Sequence, residues 1–276
     1  MVKTRKLSLL EKAVIVGAGI LKLASPANAQ EAKLVEGPIE PNVPYKQVSE
    51  DSSPKVTFDL TYASNYAAYG FIMGGKDPLK KGGVIQPGVT IDFENGFSLM
   101  GWGNYDLQDG RTGNGLHEID AGAAYNVDID DNTSAGVTLW RWEYPSRVLG
   151  DEDHAINVNV SHTLNLPYVG SLDTSVDLYH LFKDDDVDSG DALIGAVSKT
   201  LPVGKVGDLE VSVTPGVDVV HLSDFYSVSG LAAVTPGISI DVGKDNWSLS
   251  GFVKEQDGDS GMPDATLYGI TFSISN

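Results

Sequence analysis

A series of carboxylates falls on one face of the alternating pattern that runs through this chain: Asp59, Asp92, Asp106, Glu118, Asp120, Asp173, Asp177, Glu210, Asp218 and Asp241. Almost no lysine or arginine shares that face. Carboxylates gathered inside a low-dielectric wall concentrate cations and exclude anions. Asp59, Asp92, Glu118, Asp120, Asp173, Asp177, Glu210 and Asp218 are therefore expected to line a pore. The alternative is that these acids only hydrate an interior or sit beside turns.

Two other groupings invite chemistry. His221-Leu222-Ser223 sets a base and a nucleophile two positions apart on one strand face. Asp224 follows directly and so points to the other face, leaving no evident group to orient the histidine. No catalytic residue is expected. Asp184, Asp186 and Asp188 alternate as at the start of a calcium loop. The sixth and twelfth positions of such a loop hold Ser189 and Gly195 in place of Gly and Glu. A solvated acidic loop is the expectation, with those three aspartates the weak metal candidate. Asp151, Glu152, Asp153, Asp257 and Asp259 read the same way. His117, His154, His162 and His180 show no metal-ligand spacing and are expected at wall positions. No cofactor is implied.

The elements that must position these groups are strands. Residues 84–107 alternate apolar and polar side chains on both sides of Glu94-Asn95-Gly96, among the strongest short-range hairpin signals. A three-residue loop would pair Phe93 with Phe97 and Ile91 with Leu99, leaving Trp102 on the polar face. A two-residue loop would flip the second strand. The alternation recurs from Val56 to Ile274, with about twelve strands and no convincing amphipathic helix.

Connections at odd positions (65–82, 108–115, 145–153, 183–191, 222–229, 255–264) are long. Those at even positions (94–96, 128–132, 167–171, 202–208, 243–246) are short. Long loops at one end and short turns at the other describe an all-β, single antiparallel up-and-down transmembrane β-barrel over residues 55–276. A soluble barrel would need larger apolar residues on its inner face, which here holds Thr, Ser, Asn, Asp and Gly. Trp140, Trp142, Tyr144, Trp247, Tyr105, Tyr125 and Tyr268 fall near strand ends and are expected as interfacial girdles.

The chain has 276 residues and a formal charge of −19. Lys3, Arg5 and Lys6, an interrupted apolar run and Ala27-Asn28-Ala29 read as a cleaved signal peptide over residues 1–29. Its removal takes away five basic residues and one acid, shifting the charge from −19 to −23. Such a surface repels nucleic acid. The absence of cysteine excludes disulfides, thiol catalysis and thiolate metal sites. Residues 30–54, with Pro38, Pro41, Pro44 and Pro54, read as an extended periplasmic leader.

Ser64-Asn65-Tyr66, Tyr69-Gly70, Asp77-Pro78, Gln86-Pro87, Gly96-Phe97 and Trp102-Gly103-Asn104-Tyr105-Asp106, joined by Glu118-Ile119-Asp120, resemble the TorF-type porin family over about residues 60–107. The resemblance implies a bacterial outer-membrane channel of undefined substrate. Tyr69 stands where that family usually carries Arg. Asn276 ends the chain where bacterial barrels usually carry an aromatic residue, with Phe272 and Tyr268 close by.

The expected function is passive diffusion of small hydrophilic solutes, cations preferred, by a non-enzymatic barrel among outer-membrane lipid and surface glycolipid. Homo-oligomerisation stays open. The alternatives are a non-conducting structural or adhesive barrel acting through acidic loops, and a lipid-modifying barrel.

Overall fold

Residues 84–107 fold into the hairpin their sequence demands. Ile91 pairs with Leu99 and Asp92 with Ser98. Phe93 N–H donates to the Phe97 carbonyl at 2.8 Å, and Gly96 N–H donates to the Phe93 carbonyl at 3.0 Å. Gly96 has a φ of 85°. A Cβ at that position would run into the Asn126 carbonyl oxygen, so the turn needs glycine twice over. The three-residue loop sets the register.

The computed structural model describes residues 53–65, 67–69, 71–72, 83–107, 115–145, 152–182 and 189–276. The expected signal peptide, nearly all of the leader, and Asp184, Asp186 and Asp188 lie outside the described residues. The strands are β1 (Lys55–Ala63), β2 (Ala67–Ala68), β3 (Phe71–Ile72), β4 (Val84–Asp92), β5 (Phe97–Asp106), β6 (Leu116–Asp130), β7 (Thr133–Glu143) and β8 (Glu152–Leu166). They continue as β9 (Gly170–Leu181), β10 (Gly190–Ser198), β11 (Leu201–Val206), β12 (Leu209–Phe225), β13 (Val228–Lys244), β14 (Trp247–Gly258) and β15 (Ala265–Ser275).

All except the small β2–β3 hairpin belong to one antiparallel sheet, in which β15 pairs with β1 and β10 with β12. The result is a closed barrel of twelve strands. β11 is an extra piece that pairs with β12 alone. Apart from the short β11 piece, closure leaves no edge along the cylinder, the condition for a sheet in hydrocarbon, where each unpaired backbone group costs several kcal/mol. Phe58, Leu60, Leu139, Ile240 and Ile270 point outward, each more than half exposed. That apolar outer face is the reverse of a soluble barrel.

Several expected connections contain strand residues, and two differ in kind. Residues 222–229 are not a loop, because β12 and β13 run on until Phe225 pairs with Val228. The turn between them is only Tyr226-Ser227, at φ 47° and 63°. Both central residues at positive φ is the pattern of a type I′ turn, normally the place for Gly or Asn. The second difference is at 202–208, expected as a turn. There β10 stops at Ser198 and the chain resumes as β11, with a register shift between Pro202 and Gly204. A proline, a bulge and Lys205 on this short edge strand are the devices that keep an edge from pairing with another chain. Lys199 closes the break by donating from Nζ to the Val169 carbonyl in the β8–β9 turn.

Candidate functional site: the barrel lumen

By register, Asp59, Asp92, Glu118, Asp120, Asp173, Asp177, Glu210 and Asp218 lie on the face of the sheet opposite the exposed apolar side chains. Asp59 on β1 lies opposite Gly88 of β4, where the missing side chain lets Asp59 and Trp102 approach from either side. Asp92 accepts a hydrogen bond from Ser98 Oγ at 2.7 Å. Asp173 accepts one from Thr163 Oγ1 at 2.9 Å, and Asp177 a longer one from Asn157 Nδ2 at 3.4 Å. Glu210 meets Lys205 at 3.0 Å at the short-turn end. Asp218 meets Lys254 at 2.8 Å and Lys55 lies opposite Asp92, so lysines do share the inner face of the wall. Glu118 and Asp120, two positions apart on β6, face inward together. Glu118 is buried, and one oxygen of Asp120 is shut away from solvent without a hydrogen-bond partner.

The inner face is not polar along its whole length. Toward the long-loop end, Trp142, Tyr144, Ala155, Leu181, Ala192, Leu222 and Phe225 turn inward and bury one another. Trp142 and Tyr144, expected in an interfacial girdle, are each only 4% exposed. Trp140 also faces inward, lying over Gly122, where a Cβ would strike its ring. Tyr105, Tyr125 and Tyr268 do face outward, each close to half exposed. The inward placement of Trp140 and Trp142 has a simple cause. Alternation on β7 gives Trp140 and Trp142 the same face as Thr138, and strand parity outweighs the general preference of aromatic residues for an interface.

Two tyrosines complete this aromatic cluster from turns. Tyr69, between β2 and β3 at φ 53°, packs against Trp142, Tyr179 and Phe225 with ring centroids 5.9, 5.1 and 5.0 Å away. Tyr226, in its strained turn, packs against Phe225 and Phe71. Its hydroxyl donates to Asp153 at 2.6 Å and lies 2.9 Å from the Tyr144 hydroxyl. Positive φ at a bulky residue persists where surrounding contacts over-determine it, and here ring packing and a carboxylate do so.

Two cavities follow the lumen. One of about 340 Å³ lies among Asp59, Thr61, Gln86, Thr90, Trp102, Trp140 and Asp120. The other, about 250 Å³, lies among Asp120, Glu118, Tyr69, Trp142, Tyr144, Tyr179, Ile194 and Tyr226. Asp120 borders both, so it stands where the polar lumen meets the aromatic end.

Several sequence expectations are changed by geometry. Asp153, read as part of a solvated acidic loop, is a buried inward residue of β8. The alternation Asp153, Ala155, Asn157, Asn159 carries that signal two residues beyond the expected strand start. His117 is turned by a bulge on β6 toward Asp106, 3.3 Å from its carboxylate. His180 pairs with Asp191 on the outer face at 2.8 Å. His221 lies opposite Leu231 and Ser223 opposite Asp191, on the outer face, and no group orients His221 among the described residues. The same residues hold no cluster of three metal-ligating side chains.

No family model matches the sequence, and no curated protein matches it. Among solved structures, the chain is similar to the KdgM porin at 12% identity, covering 80% of this chain and 99% of that one, with a TM-score of 0.51. It is also similar to LpxR from Salmonella typhimurium at 8% identity, covering 79% and 99%, with a TM-score of 0.50. At such identities the likeness shows the fold, that of an outer-membrane β-barrel.

Proposed function

We propose that this chain is a porin-like channel of the bacterial outer membrane, through which small hydrophilic solutes diffuse passively with a preference for cations. The observation that carries the reading is the charge of the inner face. Asp59, Asp92, Glu118, Asp120, Asp173, Asp177, Glu210 and Asp218 point inward, whereas Lys254 is engaged by Asp218 and Lys205 by Glu210. Inside a low-dielectric wall this excess attracts cations and repels anions. In this reading the short turns are periplasmic, the long loops face outward, and outer-membrane lipid with surface glycolipid surrounds the apolar band. The motifs between residues 60 and 107 favour a TorF-type porin. No residue is assigned a catalytic role, and residues 1–29 act as a cleaved export signal.

A second reading draws on the aromatic cluster, which occupies the long-loop end of the lumen and suits a barrel that does not conduct. One experiment separates them. The purified protein is inserted into a planar bilayer, and conductance and reversal potential are measured across a KCl gradient. Stepwise currents with a potassium-selective reversal potential, reduced by Asp120→Asn and Asp177→Asn, support the channel. A correctly inserted barrel that carries no current overturns it in favour of a structural role.

A further inference from the structure

The smaller cavity has a composition that simple ion passage does not require. Two carboxylates, Glu118 and Asp120, form one side of it, and the rings of Tyr69, Trp142, Tyr179 and Tyr226 border the rest. The rings do not form a flat platform. Tyr69 meets Tyr179 at 73° and Trp142 at 44°, so aromatic faces and edges enclose the space from several directions. An oxygen of Asp120 is buried without a hydrogen-bond partner where the two cavities meet.

We infer that this cavity is a binding site for a small organic ammonium ion, held between the Glu118–Asp120 carboxylates and the faces of Tyr69, Trp142, Tyr179 and Tyr226. Aromatic faces attract a cation through the ring quadrupole at centroid distances within about 6 Å, most strongly when water is excluded. A weakly hydrated ammonium surrounded by carbon suits such walls. A calcium ion does not, since it requires six to eight oxygen ligands and this cavity offers two carboxylates among rings. A sugar would stack on one open ring face, and the tilted arrangement leaves no broad platform. The volume of about 250 Å³ accommodates one small organic cation. The polar cavity bordered by Asp59 shares Asp120 with the site. The site goes beyond the channel reading and stands whether or not the barrel conducts.

The test uses the purified full chain in detergent micelles, titrated calorimetrically with choline, with 3,3-dimethylbutan-1-ol of the same shape but no charge, and with glucose. Saturable choline binding is expected, at least about tenfold tighter than binding of the neutral isostere. Choline should quench or shift tryptophan fluorescence through Trp142. Asp120→Asn should weaken choline about tenfold while leaving the neutral compound unchanged. Equal binding of choline and its isostere, or preferential binding of glucose, would overturn the inference. If Asp120→Asn does not fold, the comparison of ligands on the parent protein decides alone. Because no current is measured, failure here leaves the bilayer result on conduction intact.

Discussion

The Tyr226 hydroxyl donates a 2.6 Å hydrogen bond to the Asp153 carboxylate, joining a turn residue to a strand residue 73 positions earlier. This bond fastens the β12–β13 turn to β8, three strands from β12 around the barrel, and Tyr144 extends it by a further hydroxyl contact of 2.9 Å. Tyr226→Phe keeps the ring and removes the donor. Hydrogen bonds to charged groups contribute about 1.5–3 kcal/mol, and the variant should lose that much stability. Urea unfolding of the barrel in lipid vesicles measures it, and an unchanged midpoint would show the bond to be incidental.

Tyr69 fills the lumen from a turn, with three aromatic neighbours around its ring. Tyr69→Ala should therefore open the long-loop end. In planar bilayers the variant is expected to carry a larger single-channel current than the parent at equal voltage. Equal currents would place the ion path away from this ring.

Lys254 offsets an inward carboxylate through its 2.8 Å contact with Asp218. Lys254→Gln leaves Asp218 uncompensated and should move the reversal potential further toward potassium. Asp218→Asn should move it the other way. The two shifts having the same sign would exclude charge as the source of selectivity.

Gly96→Ala would impose a Cβ at φ 85° against the Asn126 carbonyl. Strained backbone of this kind costs about 1–3 kcal/mol. The folded fraction, read from heat-modifiable gel mobility, should fall for Gly96→Ala, while Ala123→Val on the outer face of β6 should leave it unchanged. Full folding of Gly96→Ala would show that the turn can rearrange.

Asp130, at the β6–β7 turn, accepts the Asn132 N–H at 2.8 Å. That bond, followed by one from Thr133, holds its carboxyl below the ordinary carboxylate range. A depressed folded pKa stabilises above the unfolded value of about 3.9, and the contribution fades as pH falls through the lower folded value. Asp130→Asn should thus be less stable than the parent at neutral pH, with the gap closing on acidification. A gap independent of pH would assign the effect to something other than ionisation.

The sequence reveals strands better than their ends. Alternation alone puts Asp59, Asp92, Asp120 and Asp177 on the face of their strands opposite the apolar side chains, because one shifted residue would put every apolar side chain of a strand on the wrong face. Glu94-Asn95-Gly96 announced its turn through glycine. Tyr226-Ser227 did not, since tertiary contacts rather than local preference hold those residues at positive φ. The same blindness hid the aromatic cluster. Tyr69, Tyr179, Leu222 and Phe225 lie far apart in the chain, and only closure of the sheet brings them together. The turn of His117 toward Asp106 is hidden for a related reason: a bulge changes parity locally, and the residue types around it carry no mark of one.

The seam between β1 and β15 has a consequence for when this protein can exist. Thr57 pairs with Ser275 and Ala63 with Gly269, and the Asn276 side chain accepts the Val56 N–H at 2.7 Å. Among the described residues, these contacts across the seam join β1 to β15, more than 200 positions apart in the chain. Such long-range closure is the slowest kind to form. The cylinder therefore cannot shut until β15 has been made, and a chain lacking that strand would have a seam that nothing can sew.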